Sequence, residues 1–144
     1  MNYFFDTSAL VKVYHREDRS ESVFNIFNSP ANKVYISELS IVEYYSVVYR
    51  KFREKYIDNA DLEKILKRFE TDLSNRFELL MFDSPVTDNA KEIFRILGQG
   101  IFVRSLDVLQ LGFFKSYLDS PAKFLTYDLR QNSALEELKK KDFF

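Results

Sequence analysis

The chain has 144 residues, 46% of them apolar and 17% aromatic, enough for one domain over 1–144 with a sizeable core and no covalent staples. A net charge of −1 rules out a polybasic tail, so any nucleic-acid binding has to be argued from a site. With no cysteine and a single histidine, disulfides, thiolate zinc centres, cysteine nucleophiles and histidine-pair catalysis are excluded within one chain.

In chain order, residues 2–5 form a short apolar run that predicts a strand, and it stops at Asp6. Leu10, Val11 and Tyr14 share a face and predict a helix from Thr7 to Tyr14. A second short helix is expected over Ser20–Phe27, ended by Asn28-Ser29-Pro30. The stretch KVYIS at 33–37 predicts a strand, and Leu39 to Lys55 a long helix. Ala60 to Ser74 predicts a helix, FELLMF at 77–82 a strand, and Val86 to Leu97 a helix after the Asp83-Ser84-Pro85 turn. Last come a helix over Ser105–Leu118, a strand over Lys123–Thr126 and a helix over Asn132–Lys140. Strands alternating with helices predict an α/β fold with a mainly parallel sheet covered on both faces. No stretch approaches the roughly 18 apolar residues of a membrane span, and the start MNYFFDTSAL has no signal-peptide pattern. With no cysteine as well, a cytoplasmic location is expected.

Parallel sheets present ligands at the carboxyl ends of their strands. Asp6 follows the first strand, Glu43 lies in the first turn or so of the helix after the second, Asp107 starts a later helix, and Asp128 follows the fourth strand. Read singly, each has an ordinary role. Asp6 can cap a helix, Glu43 can face solvent, Asp107 can sit in a favourable first turn, and Asp128 can hold a turn. Ser8 and Thr126 are common capping or turn hydroxyls. As a set, clustered carboxylates repel one another until a cation joins them, and Mg²⁺ or Mn²⁺ prefers oxygen ligands. Such ions can activate a water and stabilise a phosphodiester under in-line attack, which needs neither histidine nor cysteine.

The remaining polar residues read as structural. His15, in YHRED, is expected at the surface, with Glu17 and Asp18 in a surface loop from which Glu17 could approach the site. Asp83 and Asp88 read as caps, Asp58, Asp61, Glu63 and Glu70 as a polar helix face, and Glu38 as a cap or support for the Glu43 helix. Arg50, Lys51, Arg53 and Lys55 read as a solvated helix end, whereas Arg104 and Arg130, beside carboxylates, are better placed to bind substrate phosphates. Of the pair Tyr44-Tyr45, one is expected in the core or on a dimer surface, although either could stack a base.

Four segments, FFDTSALVK at 4–12, ISELSIVEY at 36–44, SLDVLQL at 105–111 and LTYDLR at 125–130, together resemble the PIN-domain ribonucleases, above all the VapC-like toxins of toxin–antitoxin systems. The resemblance runs from residue 2 to about residue 135. It implies an α/β/α sandwich and a divalent-metal-dependent endoribonuclease. Asp6, Glu43, Asp107 and Asp128 match the family's acidic residues, and Ser8 and Thr126 its supporting hydroxyls. It also implies an RNA substrate, a homodimer and an inhibiting antitoxin protein. Gly112-Phe113-Phe114 and the ending KKKDFF depart from the family pattern. Two alternatives remain at this stage. One is a phosphoaspartyl phosphatase with Asp6 as nucleophile, which Ser8 two residues later argues against. The other is a non-catalytic PIN-like module that binds RNA or protein.

Overall fold

The computed structural model describes residues 1–118 and 121–144. Its strands are β1 (Asn2–Phe5), β2 (Lys33–Ser37), β3 (Phe77–Leu80) and β4 (Lys123–Leu125). They form one all-parallel sheet in the order β3-β2-β1-β4. The helices are α1 (Thr7–Tyr14), α2 (Ser20–Asn28), α3 (Glu38–Arg53), α4 (Asn59–Asn75), α5 (Ser84–Leu97), α6 (Ser105–Tyr117) and α7 (Leu129–Lys140).

The aromatic run of β1 shows why the sheet is buried on both sides. Successive strand residues point to opposite faces. Phe5 therefore joins the core formed with α1–α4, with Leu10, Val34, Ile36, Tyr44 and Phe69. Phe4 joins the opposite core, with Leu80, Val86, Phe113 and Phe114, beyond which α5, α6 and α7 pack together through Ile93, Leu111 and Leu138. Helices thus cover both faces, which makes the three-layer sandwich expected from the sequence. Strand order also reverses at β1, since the chain first builds outwards to β2 and β3 and then returns to place β4 on the other side. That switch point opens a crevice at the carboxyl ends of β1 and β4.

Boundaries shift where side chains capture backbone groups. β3 ends at Leu80 rather than Phe82, because the Phe82 amide is taken by the Glu38 carboxylate and the Met81 carbonyl accepts from the Tyr117 hydroxyl. α5 starts at Ser84, two residues early, with Asp83 as its cap and Pro85 in its first turn. Asp88 lies inside that helix, paired with Lys91 at 2.8 Å, and caps nothing. α7 starts at Leu129, three residues early, because Asp128 caps it.

Gly112 is the one small residue of the Gly112-Phe113-Phe114 stretch, and it sits where α6 meets α5. A Cβ built there would lie 2.8 Å from the Val86 carbonyl oxygen, so the residue lets α6 approach α5 closely. Gly112→Val should destabilise the fold by about 1–3 kcal/mol, the usual cost of overpacking. Urea unfolding should show a lowered midpoint, and an unchanged midpoint would mean that the two helices can part without loss.

Candidate active site

Asp6 is set by the end of β1. Its amide donates to the Leu125 carbonyl at 3.2 Å, extending the β1–β4 ladder, and its side chain turns to cap α1 through the Ala9 amide at 2.9 Å. The Ser8 hydroxyl donates to the same carboxylate oxygen at 2.6 Å. Ser8 in turn accepts from the Tyr127 amide at 2.8 Å, lies 3.4 Å from the Thr126 hydroxyl, and so ties α1 to the segment after β4. Asp6 is only 5% exposed. Burial, with a smaller contribution from the nearby Glu43 charge, raises its pKa from 3.8 to about 6 despite these hydrogen bonds.

Glu43 is carried by α3, which begins at Glu38, so it lies in the second helical turn rather than the first. It is half-buried, and the Gln110 amide donates to its Oε1 at 2.9 Å. Gln110 also donates to Ser40 Oγ at 2.9 Å and accepts from Ser37 Oγ at 2.9 Å, a buried polar knot between α3 and α6. Burial, with the Asp107 charge adding to it, pushes the Glu43 carboxyl above its ordinary range. The sequence reading missed Gln110. Its signal was a lone amide in the apolar run LDVLQLGFF, one helical turn after Asp107.

Asp107, in the first turn of α6, and Asp128, the cap of α7, meet through Arg104. The guanidinium grips Asp107 through Nε at 2.7 Å and one terminal nitrogen at 3.1 Å, and that nitrogen also reaches Asp128 at 3.1 Å. Asp128 accepts from the Arg130 and Gln131 amides at 2.8 and 3.2 Å, while its own amide donates to Thr126 Oγ1 at 3.1 Å. Burial works against the Asp128 charge, but these amides and the two arginines outweigh it and hold its carboxyl below the ordinary range. Arg104, expected to face substrate, is engaged by the two carboxylates here, whereas the Arg130 side chain is exposed.

A cleft of about 460 Å³ opens over this group, lined by Ser8, Glu43, Arg104 and Asp128 on the carboxylate side and by Lys12, Arg50 and Lys51 on the other. Several residues sit elsewhere than the sequence reading put them. Arg50 and Lys51 line the cleft rather than forming part of a merely solvated helix end. Glu17 does lie in a loop, as expected, and from there it reaches the cleft and bridges Lys12 and Lys51. His15 is buried, not at the surface: its Nε2 lies 3.3 Å from the Tyr44 hydroxyl, and burial, helped by Lys51, lowers its pKa to about 4. Tyr44 is fully buried, which removes it from base stacking.

A family model described as PIN domain matches residues 3–134. This chain belongs to the PIN domain family. No curated protein sequence matches it. Among solved structures, FitAcB from Neisseria gonorrhoeae is similar with a TM-score of 0.70 and 17% identity, over 93% of each chain. VapBC2 from Rickettsia felis, solved bound to a DNA fragment from its promoter, gives a TM-score of 0.67 at 18% identity over 92% of each chain. VapC20 from Mycobacterium tuberculosis, a sarcin-ricin-loop-cleaving toxin, gives 0.67 at 14% identity over 92% of this chain and 94% of that one. At such identities the likeness speaks for the shared fold.

In this PIN domain oxygen donors are at hand in the cleft, the carboxylates of Glu43 and Asp128 and the hydroxyls of Thr7 and Ser8, and burial raises the pKa of Glu43 and of the adjoining Asp6. That is uncompensated negative charge of the kind a hard divalent cation relieves, so the donor chemistry fits one. Among the described residues no three of these side chains close into a ligand cage, and Arg104 supplies the positive charge between Asp107 and Asp128. The described helices include none long and apolar enough to cross a membrane.

The raised Asp6 pKa has a definite pH consequence. The folded carboxyl holds its proton more tightly than the unfolded one, so its favourable contribution is complete below pH 3.8 and is lost as pH rises through about 6. At about 1.4 kcal/mol per pH unit, the loss is about 3 kcal/mol. In metal-free buffer, Asp6→Asn should therefore raise thermal stability at pH 8 and change it little at pH 4. A variant equally stabilised, or destabilised, at both pH values would contradict the buried charge.

Proposed function

We propose that this protein is a divalent-metal-dependent endoribonuclease, the toxin of a toxin–antitoxin pair, working in the cytoplasm as a homodimer of single PIN domains that a cognate antitoxin protein inhibits. One observation supports the reading: Glu43 and Asp128 line one cleft together with Ser8 and Arg104, which hold the two remaining carboxylates, Asp6 and Asp107, next to it. The family supports the nuclease class, and the toxin–antitoxin complexes with the same fold support the partner.

The four carboxylates would hold Mg²⁺ or Mn²⁺. When bound, such an ion lowers the pKa of a water and stabilises charge on a phosphodiester. The chain's own residues prepare the site. Ser8 and the Ala9 amide fix the Asp6 carboxylate, with Thr126 bracing Ser8. Gln110 fixes Glu43. Arg104 holds Asp107 and Asp128 together, and Arg104 and Arg130 provide cations for the phosphate backbone of an RNA strand. A phosphoaspartyl reading gains nothing from this arrangement, since Asp6 is buried and already engaged by two donors.

Purified protein with Mn²⁺ should cleave RNA internally, and a chelator should stop it. Asp6→Asn should abolish cleavage with the fold intact, and Gln110→Leu should reduce it about 10–100-fold, the usual effect of removing a group that orients a ligand. Undiminished cleavage by purified Asp6→Asn would rule out the assignment.

A further inference from the structure

The cleft has a second wall that the carboxylates do not explain. Lys12 from α1 and Arg50 and Lys51 from α3 line it. Glu17, from the loop between α1 and α2, stands between the two lysines, with Oε2 3.3 Å from Lys12 and Oε1 2.9 Å from Lys51. Lys12 is held further by the Asp18 carbonyl at 2.8 Å and lies 5.0 Å from the centre of the Tyr127 ring, beside Asp128. Its position is fixed, with only 11% of the side chain exposed, while the Glu17 side chain is 34% exposed and open to exchange with solvent.

Lys12, Arg50 and Lys51 line this side of the cleft with Glu17 as its one carboxylate, an excess of positive charge in the same cleft as Glu43 and Asp128. A carboxylate that places one oxygen on each of two ammonium groups presents two anionic oxygens on one central atom. The two non-bridging oxygens of a phosphodiester do the same. We propose that Lys12 and Lys51 form a subsite for a backbone phosphate of the RNA strand, away from the bond that is cut, and that Glu17 holds the two lysines in register until the phosphate takes its place. The subsite rests on the reading of the protein as an RNA nuclease. It gives the strand a direction across the cleft, from the carboxylates past Tyr127 towards α1 and α3. Arg50 lies beside the pair for the neighbouring phosphate.

The test uses the full chain carrying Asp6→Asn, so that RNA is bound and not cut, and reads fluorescence anisotropy of a labelled single-stranded oligonucleotide over a range of salt. Lys12→Gln with Lys51→Gln should weaken binding about tenfold or more and flatten the dependence of log K on log salt by about 1.4, two phosphate contacts at about 0.7 each. Glu17→Gln should tighten binding several-fold, and Lys51→Arg should preserve it. With Asp6 restored, Mn²⁺ binding measured by calorimetry should be the same with and without the two lysine changes. If the double variant fails to fold, Lys51→Glu alone should weaken binding in the same direction. A parent that binds RNA while the lysine variants bind it equally well would overturn the subsite and leave the nuclease reading standing. A parent that binds no RNA would overturn both. Weaker binding by Glu17→Gln would overturn the exchange. A polyglutamate peptide that competes as well as RNA of equal charge would assign the wall to an acidic protein segment instead.

Discussion

The rest of the site depends on a carboxylate placed where water cannot solvate it. Asp6 sits at the end of a strand whose two preceding residues are fully buried phenylalanines on opposite faces of the sheet. Ionising an acid there is costly, and three groups offset part of that cost: the Ala9 amide, the Ser8 hydroxyl and Thr126. They come from both sides of the switch point, so the same contacts that tolerate the charge also join α1 to the segment after β4. A fold that needed only a helix cap could leave the capping aspartate exposed, as Asp58 is at the start of α4. Capping and burial coincide at Asp6, and the coincidence leaves its charge under-compensated.

The surroundings divide the remaining charge into two halves. On the floor, Glu43 is raised by burial while Asp107 and Asp128 share Arg104. On the opposite wall, Lys12 and Lys51 share Glu17. Each half is a carboxylate–cation arrangement with at least one partner reached by solvent, Arg104 on the floor and Glu17 on the wall. The proposed divalent ion would take the place of Arg104 on the floor, and the proposed phosphate that of Glu17 on the wall.

Much of the fold was legible in the sequence, because strand and helix periods are local signals. The run YFF, the β-branched KVYIS and the amphipathic stretches marked the elements, and their alternation marked a parallel sheet. The errors included helix starts, where Asp83 and Asp128 reach forward to amides and begin helices early, and the end of β3, where Glu38 takes the Phe82 amide. Of the candidate site, Asp6 and Asp128 stood out by following strands, and Glu43 and Asp107 by lying near helix starts. The roles of Gln110, Lys51 and Glu17 were not legible, because they depend on contacts between distant segments: Gln110 meets Ser37 across 73 positions and Lys51 meets Glu17 across 34. His15 misled for a related reason. It follows the last turn of α1 in a polar stretch, yet α3 brings Tyr44 against it and closes it off from water.

Asp6 is a buried acid, and its carboxyl carbon can be watched directly. A pH titration by carbon-13 NMR, with and without Mg²⁺, measures its pKa. A midpoint near 6 is expected in metal-free protein, with a clear fall when Mg²⁺ is added. A midpoint at the ordinary 3.8, or one near 6 that Mg²⁺ leaves unmoved, would contradict a buried acid whose charge a cation relieves.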